Sequence, residues 1–132
     1  MIDYLGLVGA QGKSDYERVS ALGRGLKQLA KAEMVALIVA MQLSRAGGDG
    51  SKPVTLEMLR DSGVLEESCD FVLGAWRPDK AQDLTPAERD ALRDVMRVAL
   101  LKNRKGRDGR MVELHFYPGS RRLYEPAEEW VT

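Results

Sequence analysis

The chain has 132 residues, a length that suits one domain and leaves no room for a second. Hydrophobic residues make up 44% and charged residues 30%, an ordinary globular mix that excludes disordered, collagen-like and disulfide-scaffold classes. Twenty basic side chains balance twenty acidic ones, so any nucleic-acid contact must come from local patches rather than general basicity.

Residues 1–8 are apolar apart from Asp3 and read as a short buried strand. A glycine-containing loop follows over residues 9–13. Ser14 stands three residues before Glu17, a capping-box spacing that opens a helix. Tyr16, Val19, Leu22, Leu26 and Leu29 give that helix an apolar face. Gly23 and Gly25 each cost it about 1 kcal/mol, so packing must hold it. Residues 34–41 form an unbroken apolar run of eight, which suggests a central parallel strand and is far short of a membrane span. Residues 45–53 read as a flexible loop, 55–59 as a helical turn and 61–68 as a further turn or loop.

Residues 71–76 read as a strand and 77–83 as a connector. Thr85-Pro86-Ala87-Glu88 supplies an N-cap, a first-turn proline and a capping partner for a helix to about Asp94. Residues 95–102 and 111–117 are strand-like and flank a polar turn at 103–110, the pattern of an antiparallel hairpin. A last strand is expected at 121–125. The order of elements gives an α/β layer with an antiparallel edge. Cys69 has no second cysteine to pair with, which fits a reducing cytoplasm. Residues 1–4 lack the zones of a signal peptide.

Gly9-Ala10-Gln11-Gly12-Lys13-Ser14 looks at first like a phosphate-binding loop. Its spacing is wrong: the loop needs four residues between its glycines, Gly9 leaves two, and Leu7 stands where the first glycine belongs. A shorter loop cannot wrap its amides around a phosphate. His115 has no Cys or His nearby and reads as a strand residue rather than a metal ligand. Cys69 reads as a packed thiol, and Trp76 and Trp130 as packing side chains.

Four segments follow one another in a set order: Ile2-Asp3-Tyr4-Leu5-Gly6-Leu7, Gln42-Leu43-Ser44-Arg45, Leu59-Arg60-Asp61-Ser62-Gly63 with Asp70 downstream, and Lys102-Asn103-Arg104-Lys105-Gly106. With Leu26-Lys27-Gln28-Leu29-Ala30 between the first two, this ordered set resembles the C-terminal part of the motor domain of DnaB-like replicative helicases, a RecA-like ATPase. The resemblance covers nearly the whole chain. It implies an α/β fold: a partial RecA-like sheet with flanking helices and a C-terminal antiparallel β-hairpin, residues 1–132 forming a single domain.

The resemblance also implies roles for individual residues. Asp3 takes the Walker B position, where a carboxylate orients Mg²⁺ and its water beside ATP; read alone, it is a charge near a sheet end. Gln42 takes the sensor position, where an amide bonds the γ-phosphate or the attacking water; read alone, it is a polar residue at a strand end. Lys102 and Arg104 are two apart and share a face in extended chain. In the family this pair reaches into the neighbouring subunit's nucleotide site, where a guanidinium neutralises transition-state charge. Read alone, it belongs to a solvated basic hairpin with Lys105, Arg107 and Arg110 against Asp108.

Loops that hold single-stranded DNA would contain Lys13, and Arg60, Asp61 and Gly63. The loop before Leu59 is mostly glycine with one lysine, poorer in basic residues than is usual in the family. The family's phosphate-binding loop would lie before residue 1, so ATP hydrolysis by these residues alone is not expected. The expected partners are single-stranded DNA and helicase subunits or a polypeptide bearing the phosphate loop, in a homo- or hetero-oligomer with no membrane. Two functions follow: the C-terminal half of a hexameric helicase motor, or a non-enzymatic module that binds a helicase subunit or single-stranded DNA.

Overall fold

A computed structural model describes residues 1–9, 12–42, 52–117 and 119–125. Helix α1 (Asp15–Ala32) begins where the capping signal places it: the Ser14 hydroxyl accepts the Glu17 N–H at 3.2 Å, and the Glu17 carboxylate accepts the Lys13 N–H at 2.7 Å. Both bonds satisfy donors at the helix start that would otherwise lack partners. A second helix, α2 (Gly63–Ser68), follows a 3₁₀ segment at Leu56–Ser62. It packs against α1 where Gly23 leaves room for Leu65. The third, α3 (Pro86–Ala91), opens on a complete capping box between Thr85 and Glu88.

Four strands form one antiparallel sheet in the order β1 (Phe71–Trp76), β2 (Val95–Asn103), β3 (Met111–Tyr117), β4 (Arg122–Tyr124). Leu73 faces Leu100, Ala75 faces Val98, and Val98 in turn faces Val112. The register shifts between Val72 and Leu73, which face Lys102 and Leu100 and leave Leu101 as an extra residue, a bulge that bends β2 locally. Alternation along β1 puts Gly74 and Trp76 on the inner face, where Gly74 lies against Val54 and Leu101. Leu5, Val54, Leu65 and Trp76 are the buried hydrophobic residues among those described. Phe71, Leu73 and Val112 lie on the outer face and are 63%, 66% and 54% exposed. No helix among the described residues is long and apolar enough to cross a membrane.

The α/β class, both capped helices and the 95–117 hairpin follow the sequence reading. Four local expectations change. Residues 1–8 are not a strand: Ile2 alone makes a parallel bridge, to Val39, and Leu5–Leu7 is a 3₁₀ turn that buries Leu5. Residues 34–41 open on a turn at Met34, whose φ is +52°, and are paired only at that bridge, with Met34, Val35 and Ile38 exposed. A central parallel strand needs a neighbour on each edge, and among the described residues only the N-terminal segment lies beside it. Residues 63–68 are helix α2 rather than turn or loop. Helix α3 stops at Ala91, because Leu92 closes it and the chain turns at once into β2, Val95 donating to the Leu92 carbonyl. Most of the 45–53 loop, Ala10, Gln11 and Trp130 lie outside the described residues.

Candidate functional site

The N-terminal segment and residues 38–42 run parallel. The Ile2 N–H donates to the Ile38 carbonyl at 2.8 Å, the Ala40 N–H to the Ile2 carbonyl at 2.9 Å, and the Leu5 N–H to the Ala40 carbonyl at 2.9 Å. Parallel pairing puts the residues that follow Ile2 and those that follow Val39 at the same end of the bridge, Asp3 one position past it and Gln42 three. Both are exposed. Gln42 lines a cavity of about 270 Å³ with Tyr4, Leu5, Val19 and Met41. None of the hydrogen bonds or ion pairs among the described residues engages the Asp3 carboxylate. An acid left free at a segment end, with an amide at the same end, has the donor chemistry that a hydrated Mg²⁺ and a phosphate require. Asp3 and Gln42 match Mg²⁺·ATP in donor type alone, and no cluster of three or more acidic, His or Cys side chains that could hold a metal ion lies among the described residues.

The phosphate-loop look-alike has its helix end occupied from within. Ser14 and Glu17 take two of the N–H groups there, and a Cβ at Gly12 would stand 2.8 Å from the Arg18 nitrogen. Lys13 is exposed at this end of α1, Arg60 and Asp61 fall in the 3₁₀ segment Leu56–Ser62, and Gly63 is the first residue of α2.

Lys102 and Arg104 leave β2 toward the far end of α2. Lys102 Nζ donates to the Glu66 carbonyl at 2.5 Å, and the Arg104 guanidinium donates to the Glu67 carbonyl. These carbonyls belong to the last turn of α2, where helix oxygens lack intrahelical partners and the dipole favours cations. Asp70 completes the cluster. Its Oδ1 lies 3.5 Å from Arg104 Nε, its Oδ2 accepts from Lys27 Nζ at 2.5 Å, and its carbonyl accepts the Arg104 N–H at 2.9 Å. The hydrogen bond from Lys27, more than its charge or that of Arg104, holds the Asp70 carboxyl below the usual carboxylate range. Cys69 is half-buried beside this cluster, and burial pushes its thiol up against the pull of Lys102 and Lys27. A thiol in that state is a weak nucleophile.

Sequence reading placed Lys102 and Arg104 on one face, and the structure sends them to adjacent carbonyls. It gave no hint that Lys27 and Asp70, 43 positions apart, would meet. Nothing in local spacing marks such a pair.

Residues 1–125 match the family described as the DnaB-like helicase C-terminal domain. The chain belongs to that family. A replicative DNA helicase DnaB of Mycoplasma pneumoniae is 36% identical over 120 residues, covering 84% of this chain and 25% of the relative. One from Rickettsia typhi is 33% identical over 129 residues, covering 88% and 26%. A probable plasmid replicative DNA helicase of Chlamydia psittaci is 32% identical over 108 residues, covering 80% and 22%. A solved DnaB-like replicative helicase, described with its interactions with primase, superposes with a TM-score of 0.79 at 27% identity, over 95% of this chain and 30% of that one. A solved ATPase domain gives 0.78 at 28% identity, over 95% and 43%. The chain thus spans about a quarter of the length of the curated relatives it matches. As a member of the DnaB-like family it has a RecA-like fold, and the antiparallel sheet β1–β4 is part of that fold.

Proposed function

We propose that these residues form the C-terminal part of a replicative helicase motor, an ATPase that drives a ring along single-stranded DNA. The observation that supports the reading is the parallel bridge between Ile2 and Val39, after which an acid, Asp3, and an amide, Gln42, follow at the same end in a chain of this family. Mg²⁺·ATP, when bound, supplies the reacting phosphoryl group and the cation that compensates its charge. Asp3 would hold the metal through its water shell. Gln42 orients the attacking water by accepting or donating through its amide, and relays nucleotide state to the chain that follows it. Lys102 and Arg104 act on a neighbouring subunit's site, where their charge opposes the charge that develops in transfer. Lys13 and the Arg60–Gly63 stretch hold DNA phosphates without reading bases.

These residues include no phosphate loop of workable spacing, and the match to relatives covers only part of their length. The residues therefore work as a single domain that turns over ATP only when assembled with a region bearing that loop, as a homo- or hetero-oligomer. The test is ATP turnover of the 132-residue chain alone and after assembly with a phosphate-loop-bearing region of a DnaB-like helicase. The expected result is no turnover alone, and DNA-stimulated turnover on assembly that Asp3→Asn abolishes. Turnover by the chain alone that Lys102→Ala removes overturns the reading, as does full activity of Asp3→Asn.

The outer sheet face favours a second reading. Phe71, Leu73 and Val112 are each more than half exposed on one sheet face, apolar surface of a kind that suits a non-enzymatic module docked on a helicase subunit. Stable binding to a helicase ring with no gain in turnover selects it.

A further inference from the structure

Arg104 is the member of the basic pair with the longest reach and the largest choice of partners. Its side chain is 45% exposed, so solvent alone would leave it sampling many rotamers. Two contacts limit that freedom, the Glu67 carbonyl on one terminal nitrogen and the Asp70 carboxylate in an ion pair 3.5 Å from Nε, while the main-chain N–H of Arg104 on the Asp70 carbonyl fixes the backbone that carries it. The carboxylate is itself fixed from the other side, because Lys27 on α1 donates to its second oxygen at 2.5 Å. Lys27, Asp70 and Arg104 thus form a chain of alternating charge running from α1 across the end of α2 to the end of β2.

We propose that Asp70 is a positioning residue for Arg104, held in place by Lys27, and that this chain sets the direction in which the guanidinium leaves the sheet. The inference rests on the reading of Arg104 as a residue that acts on a neighbouring site. Asp70 touches no substrate in this account. It takes Nε and leaves the terminal nitrogens to trade the Glu67 carbonyl for a phosphoryl oxygen. A guanidinium held by Nε keeps its bidentate edge free. Neutralising Asp70 is expected to leave Arg104 charged and present but poorly aimed, and misplacement by about 1 Å can cost on the order of 100-fold in rate.

The test has two arms. In the assembled ATPase with saturating single-stranded DNA, Asp70→Asn and Lys27→Met should each lower kcat by about tenfold or more, with KM for ATP changed less than about twofold. Asp70→Glu should restore most of the loss. On an Arg104→Ala background, Asp70→Asn should cost nothing further, since a residue that acts only through Arg104 has no effect once Arg104 is gone. Equal losses on both backgrounds, or no loss from Asp70→Asn while Arg104→Ala abolishes turnover, overturns the proposal and leaves the role of Arg104 intact. Unchanged turnover in Arg104→Ala defeats that role itself. The second arm needs no turnover: in the chain alone, the Arg104 Nε–Hε resonance should be resolved and slow to exchange. Asp70→Asn and Lys27→Met should both collapse it to the free-arginine position. A resonance that neither variant moves overturns the proposal.

Discussion

Leu65 of α2 lies directly over Gly23 of α1, so closely that a Cβ on the glycine would stand 2.8 Å from Leu65 Cδ2. Leu65 is buried at 7% exposure, so its methyl has little space into which to retreat. The glycine that weakens α1 as an isolated helix is what lets the two helices touch.

Two alanine substitutions in the same helix should therefore differ in sign. At Gly25 a Cβ would meet nothing within 4 Å, so Gly25→Ala should stabilise by about 0.5–1 kcal/mol through helix propensity. Gly23→Ala gains the same propensity but overpacks Leu65, at a cost of about 1–3 kcal/mol. The net is a loss of up to about 2 kcal/mol. Urea denaturation of the two variants checks the contrast.

Arg77 and Asp79 form the one well-buried ion pair among the described residues. Arg77 Nε lies 3.1 Å from Asp79 Oδ1 and its terminal nitrogen 2.8 Å from Oδ2, and the same guanidinium donates to the Arg93 carbonyl and lies 5.6 Å from the Phe116 ring centre. The Asp79 side chain is 7% exposed and that of Arg77 28%. Removing the arginine strands a buried carboxylate whose other cation, Lys80, is 3.8 Å away and largely solvated. Discounting for the arginine's partial exposure, Arg77→Ala should destabilise by about 2–3 kcal/mol. Arg77→Lys should recover less than half of it, because one ammonium cannot replace a two-edged fork. Thermal melts of the three proteins measure the difference.

The features legible in the sequence are those that short spacing decides. Ser14 with Glu17, Thr85 with Glu88 and the polar turn at residues 103–110, where Gly106 donates to the Asn103 carbonyl, each involve partners a few positions apart, so local chemistry settles them. Residues 77–83 read as a plain connector because Arg77, the partner of buried Asp79, is itself held by the Arg93 carbonyl and the Phe116 ring, 16 and 39 positions away. The two apolar segments at residues 1–8 and 34–41 have strand composition, but composition cannot say whether a neighbour lies along each edge. For the candidate site, residue identities were readable in order along the chain. The hold of α2 on Lys102 and Arg104 was not, since it joins residues 36 and 37 positions apart.

Acid should weaken the fold in part through Asp70. Its carboxyl is held below its ordinary value, first by the hydrogen bond from Lys27, so the folded chain keeps this group ionised at pH values where the unfolded chain protonates it. The resulting stability is fully present above the ordinary carboxylate range near pH 4 and is lost as pH falls through the lower folded value. Between pH 6 and 2.5, Tm should fall less in Asp70→Asn than in the native chain. Lys27→Met should flatten the same limb. A residual acid dependence should remain from Glu88, whose carboxyl the Thr85 hydroxyl and N–H also hold low.

Lys102 has two jobs whose sizes can be told apart. Within the chain it gives a charged hydrogen bond to the Glu66 carbonyl in the last turn of α2, an interaction of about 1–2 kcal/mol for a half-buried cation at a helix end. Lys102→Met keeps the aliphatic stem and removes only the charge, so its cost in a chemical denaturation of the chain should lie in that range. A domain with an ordinary stability of about 5–15 kcal/mol would still be more than about 99% folded after such a loss. If Lys102 also acts on a neighbouring nucleotide site, the same substitution in the assembled ATPase should lower kcat on the order of 100-fold, far beyond what a few tenths of a per cent of unfolded chain can explain. A fall in kcat no larger than twofold would confine Lys102 to holding α2.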